Sequence, residues 1–263
     1  MSTQDEASEL FKKSSILAFV SKSFSICCLL IPIILLFVSK DSIFYRFFVL
    51  IQCSFTITYV LLELVDRHWF FFVAEDLRRK LWIDNGFNSH VTSKTTDNYF
   101  NNPLKPSFLR LTLNSYENCF FTFEILKYQS RIVLIKIFLS VVIWCIVCLC
   151  SIDYKIIAVI VQSIFSARVL YASFEHFAAL FRLKHIKEIF YNEFFAIGIK
   201  NKEQLYVLFN CIFDYECLKS YSHLRLDSRV FDKLNPKLSR KWDELIKKLP
   251  PVNAELLKIT FPL

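Results

Sequence analysis

The sequence predicts an all-α polytopic membrane protein, with four transmembrane helices arranged as two hairpins and a helical cytoplasmic body. Four apolar runs carry this prediction, each close to the length of about 20 residues that a helix needs to cross about 30 Å of hydrocarbon. The runs cover residues 14–38, 43–65, 131–152 and 156–174. Short links, residues 39–42 and 153–155, join the runs in pairs, so each pair must fold back as a hairpin. The composition agrees, because 54% of the residues are hydrophobic and a soluble domain does not need runs this long.

The positions of lysine and arginine orient the hairpins. The short links hold only Lys40 and Lys155, whereas the segment between the hairpins and the tail hold most of the other basic residues. By the positive-inside rule, both termini and the middle segment lie in the cytoplasm of a multi-pass inner-membrane protein. The predicted parts are a cytoplasmic N-terminus (1–13), hairpin one (14–65), stalk helices with a loop (66–130), hairpin two (131–175) and a cytoplasmic helical tail (176–263).

The net charge of +8 reflects this bias toward basic cytoplasmic segments. The lipid bilayer, through its anionic headgroups, is therefore the first expected partner. Nucleic acid is disfavoured as a direct partner, because the basic residues alternate with acidic ones instead of forming a stripe.

The second run predicts a helix that continues beyond the membrane. Helix-compatible sequence extends to Leu81 with no proline or glycine before Gly86, and Trp69 is placed as an anchor for the headgroup zone. Residues 107–130 show a helical spacing of apolar side chains and lead without a breaker into the third run. Residues 84–106, between these stalk helices, are rich in Asn, Ser, Thr and Asp and predict a loop.

Three helices are predicted in the tail. The first continues the fourth run over residues 177–197 and ends near Gly198, a normal C-terminal stop. Asn201 and Gln204 have the spacing of an N-cap and its capping-box partner, and they open a helix to about residue 218. Asn235 followed by Pro236 predicts the start of the last helix, over residues 238–249.

Catalytic, cofactor and metal sites find no support in the sequence. Two glycines in 263 residues cannot supply a Walker loop, a dinucleotide fingerprint or a nucleophile elbow. The five histidines are scattered along the chain. Cys145, Cys148 and Cys150 have a ligand-like spacing, but they lie in an apolar run, where cysteine acts as a small hydrophobe. We therefore predict that the protein is not an enzyme and that it has no cofactor or metal ion.

Ionisable residues in the inner half of the predicted spans form a candidate internal ion cluster. Glu63 lies near the inner end of the second run, Lys136 shortly after Arg131 in the third, and Arg168 near the inner end of the fourth. A charge at such a depth is costly and is usually paired or faces a cavity. The alternative is that long basic side chains reach the headgroups. We favour that alternative for Lys136 and burial beside Glu63 for Arg168.

The loop between the stalk helices, with the basic residues before it, is the densest polar and aromatic stretch outside the spans. It could hold a small anionic ligand such as a nucleotide, or it could be a solvated connector built from Asx turns, and we favour the connector. The candidate ligand or partner residues are Arg78, Arg79, Asp84, Asn85, Asn98, Tyr99 and Asn102.

Aromatic residues are frequent on the predicted cytoplasmic helices. Such side chains must pack within the chain, against another copy or against a cytoplasmic partner, because large exposed aromatic patches are unusual. We therefore expect a homo-oligomer whose cytoplasmic body joins several subunits. The aromatic residues are Phe120, Phe121, Phe123, Phe190, Phe194, Phe195, Phe209, Phe213 and Trp242.

The layout of hairpin, cytoplasmic insert, second hairpin and helical tail resembles four-transmembrane effectors of bacterial antiviral defence systems, of the SMODS-associated and SLATT-like kinds. The stretches similar to such proteins are residues 77–87, 98–102, 114–121 and 234–239, with Trp242. The resemblance implies an effector that disrupts or permeabilises the inner membrane when a nucleotide signal or a protein partner triggers it. Two alternatives stay open, namely a membrane-anchored scaffold and a channel or transporter subunit. Spans that lack helix breakers apart from Pro32 count against a transporter.

Overall fold

The structure is a computed structural model of the chain, and it describes residues 6–35, 38–39, 41–92, 102, 104–150, 169–222 and 224–250. Every regular element in these residues is helical, which confirms the all-α prediction. The helices are α1 (Glu6–Leu35), α2 (Ile43–Val65), α3 (Phe71–Phe87), α4 (Phe108–Cys150), α5 (Val169–Tyr191), α6 (Lys202–Ser222) and α7 (Ser228–Ile246). Two π-helical turns, Asp66–Phe70 and Asn192–Ile197, follow α2 and α5.

The chain divides into two compact units. The first, here called the hairpin unit, comprises Glu6–Ala74 and Arg131–Glu175. The second, the aromatic-core unit, comprises Met1–Asp5, Glu75–Ser130 and His176–Leu263. Most of the fourth apolar run and the link before it lie outside the described residues, so the second predicted hairpin stays a prediction.

In the hairpin unit, α1 and α2 pack as an antiparallel pair. The Ser14 hydroxyl donates to Asp66 Oδ1 at 2.7 Å, and further along α1 the Ser21 hydroxyl donates to the Tyr59 carbonyl at 3.4 Å. As the residue number rises from Ser14 to Ser21 along α1, the residue number of the bonded partner falls from Asp66 to Tyr59. This is the register of a helical hairpin. Ser42 begins α2 as its N-cap, since its hydroxyl accepts a hydrogen bond from the Phe44 amide at 3.2 Å.

The helix that starts at Ile43 continues beyond the second apolar run, as predicted from the absence of breakers, and passes through the first π-turn to Phe87, six residues after the predicted Leu81. Among the described residues, this is the one helix long and apolar enough to cross a membrane. The prediction that the loop begins at residue 84 was wrong, because the helix ends three residues later, at Phe87. Gly86 is a packing residue inside the helix. A Cβ there would lie 2.4 Å from Leu111 Cδ1 on α4, so only glycine permits this close approach.

The capping box predicted for α6 is present. The Gln204 amide donates to Asn201 Oδ1 at 3.0 Å, while Gln204 Oε1 accepts from the Asn201 amide at 3.3 Å. Gly198, with φ of 72°, ends the preceding helical segment as expected, because this left-handed backbone suits glycine. Helix α6 then extends to Ser222, beyond the predicted end.

The prediction that Asn235 and Pro236 open the last helix was wrong. Helix α7 begins at Ser228, where the Asp227 carboxylate caps it by accepting hydrogen bonds from the Arg229 amide at 2.9 Å and the Val230 amide at 3.2 Å. Pro236 lies inside the helix, where it removes one backbone donor. Buried apolar side chains on both sides of the proline hold the helix against the core. These side chains are Val230, Leu238 and Trp242.

A buried aromatic cluster forms the centre of the aromatic-core unit. The Tyr116 ring on α4 lies 5.6 Å from that of Phe190, 6.2 Å from that of Phe194 and 5.3 Å from that of Trp242. Of the three alternatives for the aromatic residues, packing within the chain therefore accounts for the most deeply placed ones. Of the nine aromatic residues named above for the cytoplasmic helices, two stay exposed to solvent, namely Phe209 and Phe213 on α6.

Candidate functional site

A network of four charged side chains joins α3 to α6 inside the aromatic-core unit, and we call it the ion clamp. Arg78 on α3 donates from Nε to Glu75 Oε2 at 2.7 Å and from Nη2 to the carboxylate of Glu216 on α6. Lys219, one turn further along α6, places Nζ 3.1 Å from Glu75 Oε1. Each helix contributes one acid and one base, so the clamp has no net charge.

Burial makes the clamp sensitive to the loss of any member. Burial alone would raise the pKa of Glu75, but the positive charges of Lys219 and Arg78 hold it below its ordinary value. Burial also lowers the pKa of Lys219, and repulsion from Arg78 adds to that effect. The Arg78 guanidinium stays charged, because Glu216 and Glu75 raise its pKa against the effect of burial. Removing one partner would leave a buried charge without compensation.

The face of α6 that carries the clamp also carries a buried phenol. Tyr215 lies within hydrogen-bonding distance of Thr122 on α4, with 3.2 Å between the two hydroxyl oxygens. Burial raises the pKa of Tyr215 well above its ordinary value, so the phenol stays neutral. Helix α6 is thus bonded through polar side chains to α3 and to α4.

The predicted loop residues hold the connector in place. Asp84 accepts hydrogen bonds from the Ser89 hydroxyl at 2.8 Å, the Val91 amide at 2.7 Å and the Thr92 amide at 3.0 Å. Partial burial alone would raise the pKa of Asp84, but these donors keep it below its ordinary value. The carboxylate therefore organises the chain that leaves α3, as an Asx-type turn does.

Asparagine side chains fasten the other end of the connector to α4. Asn102 donates from Nδ2 to Asn114 Oδ1 at 2.6 Å, and the fully buried Asn114 donates to Asn85 Oδ1 at 2.9 Å. Of the basic candidates, Arg78 belongs to the ion clamp, and Arg79 donates to the Glu75 carbonyl at 3.4 Å. The remaining two candidates, Asn98 and Tyr99, lie outside the described residues.

The structure leaves the predicted intramembrane ion cluster untested. Glu63 is half-buried on α2 and Lys136 is exposed on α4, while Arg168 lies outside the described residues. The pairing of Glu63 with Arg168 therefore stays a prediction. The hairpin unit does contain a buried carboxylate that the sequence analysis missed, Asp66, bonded to Ser14 at the first π-turn.

Glu117 on α4 is a partly buried acid, and we expect it to make the free energy of unfolding depend on pH. Burial raises the pKa of Glu117 to about 7, and the negative charge of Asp243 on α7 adds to the shift. This value exceeds the ordinary 4.5, so the folded state prefers the protonated acid. The contribution of protonated Glu117 to the free energy of unfolding is fully present below a pH of about 4.5 and is lost as the pH rises through about 7.

Replacement of Glu117 by glutamine should keep this position neutral at every pH. At pH 8 we expect Glu117→Gln to exceed the parent by about 1–3 kcal/mol in free energy of unfolding, and at pH 4 to differ little from it. Urea unfolding at several pH values measures this. The matched control is Glu244→Gln, at an exposed acid of α7, and it should leave the pH profile unchanged. Equal profiles for parent and Glu117→Gln would contradict the assignment.

Three of the four clamp residues were absent from the sequence-based candidates. Glu75 and Arg78 stand three residues apart, as do Glu216 and Lys219, and both spacings place the two charges on one helix face. On α6 that face is otherwise buried, since it includes Leu208, Ile212 and Tyr215. Opposite charges at this spacing beside an apolar stripe are the signal that could have revealed the clamp.

Comparisons with known proteins do not identify a family for this chain. Comparison with protein-family models, with curated proteins and with solved structures finds no match to this chain. Across the described ranges, no three side chains of His, Cys, Asp or Glu gather as metal ligands would. The ion clamp and the distribution of polar and apolar side chains in the two units are therefore the features that bear on function.

Proposed function

We propose that the protein is an integral membrane effector that permeabilises the inner membrane when a ligand or partner triggers it. The observation that carries the membrane assignment is that the hairpin unit exposes many large apolar side chains while several polar side chains are buried between its helices. Ser14 and Asp66 are only 2% and 3% exposed, whereas Phe19 is 71% and Leu50 is 66% exposed. Water would penalise this arrangement heavily, and hydrocarbon favours it.

The exposed apolar surface covers both helices of the hairpin. No residue of α2 is buried, although this helix is almost entirely apolar. The exposed large apolar side chains of α1 and α2 are Ile16, Phe19, Val20, Ile26, Leu30, Ile34, Ile43, Phe44, Phe47, Leu50, Ile57, Val60, Leu61, Leu64 and Val65. A soluble protein rarely exposes so large a continuous apolar patch.

The aromatic-core unit has the opposite arrangement. Its centre is a core of buried apolar side chains, with Leu113, Leu183 and Phe190 each at 0% exposure, as in a water-soluble domain. We therefore assign the hairpin unit to the bilayer and the aromatic-core unit to the cytoplasm. The full proposal has four spans in two hairpins, with both termini cytoplasmic.

The proposed trigger acts through the ion clamp. Helix α3 carries Glu75 and Arg78, and it continues α2 through the π-turn at Asp66–Phe70. Such turns are frequent at functional positions in helices. A signal that rearranges the clamp can therefore pass along one continuous helix from the aromatic-core unit to the proposed span. Assembly as a homo-oligomer would give the several spans that a pore needs.

The resemblance to SMODS-associated and SLATT-like antiviral effectors is consistent with this mechanism. In that setting the protein would act in abortive infection, damaging the membrane of an infected cell after a nucleotide signal or a released partner reaches its cytoplasmic part. The proposal assigns no catalytic residue to the chain.

A second candidate function is a membrane-anchored scaffold. It is favoured by the exposed aromatic side chains of α6, whose spacing places them along one side of the helix. Phe209 and Phe213 form an edge-to-face pair with centroids 4.8 Å apart, and Tyr206 is exposed one turn before them. A cytoplasmic protein could bind this surface without any change in membrane permeability.

Membrane potential separates the two functions. Cells that express the chain together with its genomic neighbours, which would include a triggering partner, should lose the signal of a potential-sensitive dye within minutes, before growth stops. The variant Lys80→Met serves as a control for mutation of α3 outside the ion clamp, because it removes only the exposed ion pair between Lys80 and Asp76. This variant should depolarise cells as the parent does. An unchanged potential, both with and without genomic neighbours, would favour the scaffold.

The proposed topology is tested by thiol labelling. In a background without other accessible cysteines, Asp41→Cys should react with a membrane-impermeant maleimide added to intact cells, whereas Ser220→Cys should react only after lysis. Asp41 belongs to the link of the first hairpin, and Ser220 is exposed on α6. The reverse pattern would contradict the orientation, and labelling of both sites in intact cells would contradict the separation by a membrane.

A further inference from the structure

Helices α5 and α6 leave an open cleft of about 740 Å³ in the aromatic-core unit. Its deepest residues are Ile186 and Leu218, both buried. The side chains around them come in comparable numbers from the two helices, which is the usual construction of a pocket between helices. The lining residues from α5 are Phe181, Arg182, Lys184, His185, Ile186 and Glu188, and those from α6 are Asp214, Cys217, Leu218 and Tyr221.

Basic side chains dominate the α5 wall. Arg182 and His185 have no hydrogen-bond or ion-pair partner within the part of the chain that the structure describes. Lys184 makes one exposed ion pair with Glu188, at 3.9 Å, and such a pair is weak. Arg182 and His185, three residues apart on α5, can thus turn their donors toward a bound anion, and an arginine fork matches the oxygens of a phosphate group.

Two large aromatic side chains flank these bases. Phe181 is 79% exposed and Tyr221 is 77% exposed, and both line the cleft. An aromatic ring left so open gains from a flat or apolar surface laid against it. The α6 wall also presents Asp214, which accepts from Asn210 at 3.1 Å and has oxygens left for a hydroxyl or amine donor.

We propose that this cleft binds a phosphate ester that also carries hydroxyl or amine donors and an apolar portion. The phosphate meets Arg182 and His185, the donors meet Asp214, and the apolar portion packs on Phe181 and Tyr221. Two sources have this chemistry, namely a soluble phosphorylated metabolite and the headgroup of an anionic phospholipid.

The cleft and the ion clamp share one helix. Asp214, Cys217 and Tyr221 line the cleft, while Glu216 and Lys219 face the clamp from a different side of α6. A ligand in the cleft can therefore bias the clamp through this helix. The effect of the ligand on the clamp rests on the proposed function. Binding of the ligand to the cleft does not, and that binding is tested without a measurement of permeability.

The thiol of Cys217 reports directly on occupancy, because it is exposed and lines the cleft. The full chain is labelled with a maleimide in detergent, with and without sn-glycerol 3-phosphate as the soluble probe. A second arm compares nanodiscs of phosphatidylglycerol with nanodiscs of phosphatidylcholine. Labelling is followed by peptide mass spectrometry, and the variant Lys241→Cys provides a reference thiol on α7, outside the cleft.

An occupied cleft should slow labelling of Cys217 by about tenfold while the reference thiol reacts at an unchanged rate. Arg182→Gln should abolish the protection, judged against the rate that this variant itself shows with the cleft empty, and the matched Arg229→Gln on α7 should keep the protection. Protection by glycerol 3-phosphate assigns a soluble ligand, and protection only in phosphatidylglycerol assigns a lipid headgroup. Absence of protection in both arms, or protection that survives Arg182→Gln, would overturn the proposal, whatever the outcome of the dye measurement.

Discussion

Replacement of Arg78 by methionine is expected to lower the free energy of unfolding of the aromatic-core unit by about 3–5 kcal/mol. Arg78 is paired with Glu75 and Glu216, and all three side chains are largely shielded from water. Without the guanidinium, two buried carboxylates share the single positive charge of Lys219. Urea unfolding of the purified protein in mild detergent, followed by tryptophan fluorescence, measures the loss.

A matched variant separates burial from simple loss of an ion pair. Lys80 on the same helix pairs with Asp76 at 2.7 Å, but both side chains are more than 40% exposed. Lys80→Met should therefore cost only about 0–1 kcal/mol. The double variant Arg78→Met/Glu216→Leu removes the excess negative charge and should recover part of the loss. Equal costs for Arg78→Met and Lys80→Met would show that the clamp is not the buried, coupled network described here.

Truncation after Gly198 should unfold the aromatic-core unit while leaving the hairpin unit inserted in the membrane. Helices α6 and α7 supply buried side chains to the core, and each large apolar one contributes about 1.5–3 kcal/mol. Their sum is comparable to or larger than the 5–15 kcal/mol that ordinarily stabilises a domain. The core residues lost are Leu205, Leu208, Cys211, Ile212, Tyr215, Leu218 and Trp242.

Two measurements on the same truncated chain test this expectation. Limited proteolysis should digest residues 75–130 rapidly, whereas in the full chain the same segment should resist. Carbonate extraction serves as the internal control, because both chains should remain with the membrane fraction. Assembly, followed by size-exclusion chromatography in detergent, should be lost together with protease resistance. A shortened chain that still resists the protease and still assembles would contradict the assignment of α6 and α7 to the core.

Local chemistry explains which elements were predicted correctly. The capping box of Asn201 and Gln204 and the stop at Gly198 depend on side chains within a few residues of the helix ends, so their spacing was sufficient. The continuation of the second helix to Leu81 was predicted from an unbroken stretch of helix formers, although the helix itself ends at Phe87. In each case the decisive contacts are near in sequence, where pattern and propensity act.

The errors have the opposite cause. Gly86 looked like a helix terminator, but the close approach of Leu111 requires glycine within the helix. Pro236 looked like a first helical residue, but Asp227 caps α7 two turns earlier and Trp242 anchors it in the core. Contacts between residues distant in sequence overrode the local signals in both places, and the sequence did not display those contacts.

The candidate site divides in the same way. Composition and periodicity alone determined that the chain is helical and that common glycine-dependent sites are absent, and they predicted that the four apolar runs are membrane spans. Tertiary structure decided that Arg78 belongs to a clamp with Glu216, 138 residues further along the chain, and that α5 and α6 form an open cleft lined by charged and aromatic side chains. The physical reason is that helical periodicity says which face of a helix is apolar, whereas the partner of each face depends on how the helices pack.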